Sequence, residues 1–485
     1  MSMADGTFTS PEESGPGLSS APRAALRWSY VQQIGRVVPG YLGLVVLSRL
    51  LEPADFGIVG IAGVWLGILN ALVGGGFGPS VVQSRALDRQ ALSSLASMTT
   101  ILGVAAAVAG VLIAAPMCQV LRVPEATPYA QVSSLAFALA GLAVVPTAVA
   151  QRAMNFAALA RRDIVSSIVS TLAAVAAALA GAGAWALVLQ ALTMTAVSAA
   201  LIWHAQRRYV GLGRPSWSVM RQHAGYSGEV TAFQVVKAGL QTGHRAVVGA
   251  VLGPHALGLY MLGHKLSVET TAVVRAGLGG FLFPFLSRQQ DDREALVVSF
   301  VRATRTLLGL TSLALAGGVL VAPHLVPLIF GEDWARAVVI AQVLTLVALG
   351  DCVFGTTGEL MKATRHSRGL LIWSLAYAVV LIALLVVGAL TAGLVGAAWG
   401  AGLAAILLVP MSLVQAGRRL RVSPMWLGRQ VAAPVVGPAM VTVVALAVTA
   451  LAPDVSSAVI VIAASAALLT LGLGQLRSMK SAPRT

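Results

Sequence analysis

The sequence predicts an all-α integral membrane protein of about 14 transmembrane helices, with two six-helix lobes facing a central cavity plus two C-terminal helices. Three observations carry this. The 485 residues are 57% hydrophobic and only 11% charged, where a soluble chain carries about 25% charged residues. Apolar runs near the ~20 residues needed to cross a bilayer recur along the whole chain. Lysine and arginine collect between those runs in strict alternation, one segment rich and the next poor.

In chain order the runs fall at 31–50, 56–83, 92–116, 129–151, 163–181, 184–204, 225–252, 257–286, 299–322, 335–360, 368–390, 393–415, 431–451 and 455–476. The breaks at Gly181–Gly183 and Thr391–Gly393 are very short, so each joins two helices into an antiparallel hairpin. The stretch 1–25 is rich in Ser, Gly, Pro and Glu and has neither an apolar core nor a cleavage site of the signal-peptide kind. The expected organisation is a disordered cytoplasmic tail (1–27), an N-terminal lobe (28–206), a cytoplasmic linker (207–223), a C-terminal lobe (224–416), two additional helices (417–476) and a second cytoplasmic tail (477–485). Placing both termini in the cytoplasm leaves only Arg49, Arg122 and Arg336 in the outer loops. That is the charge pattern of a multi-pass protein of the plasma (cell inner) membrane.

The net charge of +15 is explained by this topology, and no nucleic-acid partner is expected. Cys118 and Cys352 lie in apolar runs without metal-ligand spacing, so neither a metal site nor a disulfide framework is expected. No Walker A, HExxH or GxSxG string stands in a supporting context. No enzyme, catalytic residue or cofactor is therefore expected.

Charge inside the spans is the functional signal, because a charge near the bilayer centre costs roughly 2.5–3.5 kcal/mol on insertion scales. Five basic residues fall there, Arg36, Lys237, Arg245, Lys265 and Arg275, against the acids Glu229, Glu269, Asp351 and Glu359. Ser227, Gln234, Lys237, Gln241 and His244 are spaced to share one stripe of a helix. With His264 they line a polar pathway. The bland alternative is a buried ion pair such as Lys265 with Glu269, one α-helical turn apart. A mildly cationic pathway suits an anionic cargo, since Arg binds phosphate bidentately and Lys acts as a point charge. Glu229, Glu269 and Asp351 are candidates for coupling to H+ or Na+, or they merely balance nearby cations. Gly63–Gly67, Gly239–Gly243 and Gly396–Gly400 have the spacing of close helix packing, and Pro39, Pro146 and Pro284 lie within spans.

Six stretches resemble one family. They are "LSRLLEPADFGIVGIA" (47–62), "GFGPSVVQSRALD" (76–88), "VPTAVAQRAMNFAALARRDIVSSIVS" with "AGAGAWALV" (145–188), "VVGAVLGPHALGLYMLGHKL" (247–266), "FPFLSRQQDD" (283–292) and "LVPLIFGEDW" (325–334). In this order they resemble the Wzx-type polysaccharide flippases of the multidrug/oligosaccharidyl-lipid/polysaccharide exporter superfamily. The resemblance implies a flippase for polyprenyl-pyrophosphate-linked oligosaccharide repeat units, working by alternating access in lipopolysaccharide or exopolysaccharide biosynthesis. It implies as partners the lipid-linked cargo, the bilayer, and a polysaccharide polymerase with its chain-length machinery. One departure is His244–Arg245, where family members often carry an acidic residue. The alternatives left open are a drug or cation antiporter of the same superfamily, a membrane polysaccharide polymerase, and export of a different lipid-linked cargo.

Overall fold

The computed structural model describes residues 21–74, 77–84, 88–153, 155–271, 282, 285–289, 292–364 and 367–451, with helical pieces at 460–461, 463–468 and 470–471. At some helical positions it describes the backbone alone. Among these residues every regular element is a helix. The helices are α1 (Ala21–Leu50), α2 (Pro53–Gly74), α3 (Phe77–Gln83), α4 (Arg89–Val120), α5 (Thr127–Ser134), α6 (Ala136–Arg152), α7 (Phe156–Leu179) and α8 (Trp185–Gln206). After them come α9 (Trp217–His264), a π-helical turn (Lys265–Glu269), α10 (Arg293–Phe330), α11 (Ala337–Ala363), α12 (Ser367–Leu420) and α13 (Pro424–Leu451).

Ten described helices are long and apolar enough to cross a membrane. One run, Ile372–Leu420, has 49 residues, more than twice the ~20 that one crossing takes. It turns back at Ala392 and Gly393, the expected hairpin break, with Gly393 at φ 60°. The other expected break closes with Gly181 at φ 80° and Gly183 at φ 53°. Both turns use the left-handed backbone region that glycine enters without a Cβ penalty. Side chains start the helices that follow loops: Asp88 accepts from the Ala91 N–H, Asn155 from Ala158 and Asp292 from Ala295. Each satisfies one of the orphan donors of a first turn.

Two boundaries differ from expectation. Helix α1 already includes Ala21–Arg27, assigned above to the tail, and α9 begins at Trp217, inside the expected linker. Expected helices seven and eight form the two arms of α9, separated at Gly253 (φ 81°), within the expected break. Hydropathy reads the bilayer-buried length, whereas helices continue into the interface wherever backbone hydrogen bonding is undisturbed.

By internal contacts the chain forms two compact units, up to Gly258 and from Leu259. In the first, α1 lies on α7 so closely that a Cβ at Gly35 would strike the Ile164 side chain. Helices α4 and α6 meet backbone to backbone at Gly103 and Gly141. The start of α2 and the kink of α9 interlock reciprocally: a Cβ at Gly57 would strike the Pro254 carbonyl, and one at Gly258 the Pro53 carbonyl. Both segments read Pro-x-x-x-Gly, "PADFG" and "PHALG". Gly249, on the same α9 arm, faces Ile61 of α2. These contacts place the expected helix seven in the first unit.

The segment after α8 is tied down. The Gly211 N–H donates to Ser93 Oγ at 3.2 Å, the Gly213 N–H to Ser97 Oγ at 3.0 Å, and the Ser216 N–H to Ser94 Oγ at 2.8 Å. Ser97 Oγ in turn donates to the Gly213 carbonyl at 2.7 Å. Three serines on the first turns of α4 thus act as backbone partners for a chain that forms no regular structure of its own.

In the second unit, α10, α11, α12 and α13 share a core that includes Phe300, Leu308, Cys352, Leu360, Leu420 and Leu427. The α12 hairpin packs through Gly388 against the Gly396 carbonyl and through Gly400 against the Leu384 carbonyl. Of the glycine pairs singled out by spacing, Gly396–Gly400 therefore forms a close interface; a Cβ at Gly67 would come 3.2 Å from the Thr242 side chain of α9, whereas one at Gly63 or Gly239 would meet nothing within 4 Å. Pro39 and Pro146 lie inside α1 and α6, and Pro284 lies outside the described residues.

Candidate functional site

In the first unit, α9 is continuous helix from Trp217 to its kink at Gly253, so the backbone carries Ser227, Gln234, Lys237, Gln241 and His244 along one stripe. Along that stripe Gln234 is half-buried, Gln241 exposed and His244 buried at 8%. Arg245, beside His244, is half-buried. Arg36, Glu229 and Lys237 are on helical backbone, but their side chains lie outside the described residues.

The first unit also holds a polar cluster that the sequence did not single out. Asp163, 6% exposed, sits on α7. Its Oδ2 accepts from Gln32 Nε2 of α1 at 2.8 Å, and its Oδ1 accepts from Arg162 Nε at 2.8 Å. Arg162 Nη1 donates to Thr147 Oγ1 of α6 at 2.9 Å. One carboxylate and one guanidinium thus join three helices, with the charges satisfied by each other and by neutral partners, as buried charge requires. The available signal was Gln32 and Asp163 as polar residues at span edges, yet Arg162 reads as one more loop arginine.

In the second unit three candidate residues, His264, Lys265 and Glu269, lie at the π turn. The Thr270 N–H donates to the Lys265 carbonyl, five residues back, and Thr270 Oγ1 donates to the same carbonyl at 3.0 Å. Ser267 Oγ donates to the Gly263 carbonyl at 2.8 Å and Thr271 Oγ1 to Val268 at 2.9 Å. Hydroxyls bonded back to the backbone help a helix depart from α geometry, and π turns recur at functional sites. The widened turn brings His264 and Glu269 together, with Nδ1 and Oε1 3.8 Å apart. In an α-helix residues five apart point about 140° away from each other. The Tyr260 ring lies over His264, centroids 6.2 Å apart and planes at 29°.

Helix α11 closes one side of this turn. Gly263 lies against it, where a Cβ would come within 2.8 Å of the Ile340 side chain. Farther along α11 stands Asp351, half-buried. Asp351 and Tyr260 both lie within electrostatic reach of the Tyr377 hydroxyl on α12. Phe354, one turn beyond Asp351, meets the Tyr377 ring at 6.2 Å. The second unit thus places His264, Lys265 and Glu269 on one turn with Tyr260 beside it, while Asp351 and Tyr260 both act on Tyr377. Glu359, counted above as an in-span acid, instead pairs with Lys362 at 2.8 Å near the end of α11. Arg275 lies outside the described residues. Among the described residues no group of three or more His, Cys, Asp or Glu is placed to hold a metal ion.

Comparison with known proteins gives this arrangement its context. Over 385 residues the chain is 24% identical to the lipopolysaccharide biosynthesis protein WzxC of Escherichia coli (strain K12), covering 77% of this chain and 76% of that protein. It is 24% identical over 387 residues to the succinoglycan biosynthesis transport protein ExoT of Rhizobium meliloti (strain 1021), covering 76% and 75%. Its fold is that of the lipid II flippase MurJ in an inward closed conformation, with a TM-score of 0.73 at 11% identity, over 94% of this chain and all of that one. The sequence pattern of the family described as polysaccharide biosynthesis protein matches residues 46–339. With more than half of its length matched, the chain belongs to the polysaccharide biosynthesis protein family.

Proposed function

We propose that this protein is a flippase moving polyprenyl-pyrophosphate-linked oligosaccharide repeat units from the cytoplasmic to the outer leaflet of the plasma membrane, by alternating access, for cell-surface polysaccharide biosynthesis. The observation that carries this reading is the family match over 46–339 on a chain with, among its described residues, ten helices long and apolar enough to cross a membrane. The names of its relatives, concerned with lipopolysaccharide and with succinoglycan transport, support a glycan cargo.

In this reading Arg36, Lys237, Arg245, Lys265 and Arg275 bind the anionic pyrophosphate head, and Gln234, Gln241, His244 and His264 hydrogen-bond the sugars or order water along the pathway. The polyprenyl tail stays in the bilayer while the head crosses, and no covalent bond changes. Glu229, Glu269 and Asp351 trade an ion, H+ or Na+, as the protein changes state. The clustering of Glu269 with His264 on the π turn and the placement of Asp351 near Tyr260 and Tyr377 favour the last two. Both termini are cytoplasmic, and the exported units pass to a polymerase with its chain-length machinery.

The test is made on lipids. The gene is deleted in its host, and the leaflet occupied by polyprenyl pyrophosphate glycolipids is determined. Complete repeat units trapped on the cytoplasmic face are expected. Single units reaching the outer face unpolymerised would point to a polymerase. Unchanged glycolipids with new sensitivity to cationic drugs would mark a drug antiporter, which shares the superfamily.

A further inference from the structure

One end of the second unit carries several of the arginines that mark its topology, and two of them, Arg293 and Arg305, are bonded to neighbouring helices. Helix α10 has 38 residues, about 57 Å at 1.5 Å per residue, against a hydrocarbon core of about 30 Å. A helix of this length reaches beyond the apolar layer, and its first turns, which hold Arg293, Glu294, Arg302 and Arg305, are braced against neighbouring helices. Arg293 donates through Nε to the Leu420 carbonyl at 2.8 Å and through Nη2 to the Arg421 carbonyl at 2.6 Å. It thus caps the negative end of the α12 dipole. Arg305 Nη1 donates to Gln430 Oε1 of α13 at 3.1 Å, and Ser312 Oγ to the Pro434 carbonyl at 3.3 Å. These bonds stitch α10 to α13 from the turn inward.

Arg302 on α10, Arg418 and Arg419 on the last turn of α12, Arg421 in the turn after it and Arg429 on α13 are exposed. Arg421 turns the chain at φ 53°, a backbone region that non-glycine residues seldom occupy. The acids at the start of α10 are Asp292, whose carboxylate is committed to the Ala295 N–H, and exposed Glu294, while Glu359 at the end of α11 is paired with Lys362. Trp426 is 42% exposed, and an exposed Trp beside arginines marks headgroup depth. Seven, eleven and fourteen residues after Arg429 come Val436, Met440 and Val443, which share its helix face. They are 52%, 62% and 65% exposed.

We infer that this end of α10, α12 and α13 is a binding site for an anionic phospholipid of the bilayer. The phosphates sit among Arg302, Arg418, Arg419 and Arg429, and the acyl chains run along Val436, Met440 and Val443. Guanidinium groups match phosphate oxygens bidentately, and basic pockets at the membrane-facing ends of helices suit doubly charged headgroups such as cardiolipin. The bound lipid fixes the start of α13 against α10. This inference does not depend on what the protein transports.

The full-length protein is reconstituted in nanodiscs of mixed phosphatidylcholine and cardiolipin, and the lipids retained on extraction are counted by mass spectrometry. Enrichment of cardiolipin over phosphatidylcholine is expected, weakening as salt is raised. The triple variant Arg418→Gln, Arg419→Gln, Arg429→Gln leaves Arg293 and Arg305 in place and should lose about tenfold or more of that enrichment. The matching triple lysine variant should keep most of it. Equal retention of the two lipids by the wild-type protein would overturn the inference, as would undiminished enrichment in the glutamine variant. Displacement of cardiolipin by added polyprenyl pyrophosphate at lower concentration would overturn it too, by making the patch a docking site for the transported lipid.

Discussion

Gln32 on α1 donates its side-chain amide to Asp163 on α7 at 2.8 Å, across 131 residues of chain. The bond fixes the rotation of α1, because Gln32 reaches Asp163 only while Gly35 lies against Ile164. The same carboxylate holds Arg162, whose second bond reaches Thr147. Asp163→Ala leaves a partly buried guanidinium without its counter-charge and should cost about 2–3 kcal/mol. Gln32→Ala removes one neutral donor and should cost about 1 kcal/mol. Thermal unfolding of the purified proteins checks the order, and equal losses would mean that the charge pair carries no weight.

The reciprocal contact of Gly57 with Pro254 and Gly258 with Pro53 makes a sharper demand on volume. Gly57→Ala and Gly258→Ala each push a methyl into a carbonyl that belongs to another rigid segment. Each should destabilise by about 1–3 kcal/mol and lower the amount of folded protein recovered from membranes. Gly63→Ala, where a Cβ meets nothing within 4 Å, should be recovered at the wild-type level.

Ser94 and Ser97 hold the segment between α8 and α9 by its backbone. The double variant Ser94→Ala, Ser97→Ala should cost about 1 kcal/mol per lost bond. Limited proteolysis between Gly211 and Ser216 should become several-fold faster, with the helices still protected.

The π turn offers a test of its own. A π turn behaves as a helix carrying one extra residue. Deleting Ser267 should therefore heal it to α geometry while keeping the flanking helices aligned. His264 and Glu269 would then stand four residues apart on one α-helical face, so the pair outlives the π geometry. If this pair serves ion coupling, Glu269→Gln should make glycolipid transport in vesicles insensitive to an imposed ion gradient, with protein recovery unchanged, whereas the deletion should keep the dependence. A deletion variant that loses its gradient dependence would place the π geometry itself in the mechanism.

How much of this was legible beforehand follows from the range of each interaction. The hairpin breaks at Gly181–Gly183 and Thr391–Gly393 could be read because few backbones turn a membrane chain in so few residues. The stripe through Gln234, Gln241 and His244 could be read because helical period is a local property. Asp163 could not: it begins the run 163–181, and its partner Gln32 stands in the first helix. The π turn was also hidden, since α spacing pairs Lys265 with Glu269, whereas the wider turn carries Glu269 to within 3.8 Å of His264. Nor did glycine spacing rank its own pairs, which differ only in what stands opposite them.

By itself the sequence determined that this chain lives in a membrane, roughly how many times it crosses and where its hairpins turn. The bilayer imposes those features through a fixed thickness and a prohibitive cost for unpaired polar groups, and both act on a short stretch of chain at a time. Only the tertiary structure decided which charges meet. Gln32 finds Asp163, Arg293 finds the end of α12, and the π turn finds α11. Such pairings are set by how whole helices rotate and approach, and that depends on side-chain volumes contributed from distant parts of the chain.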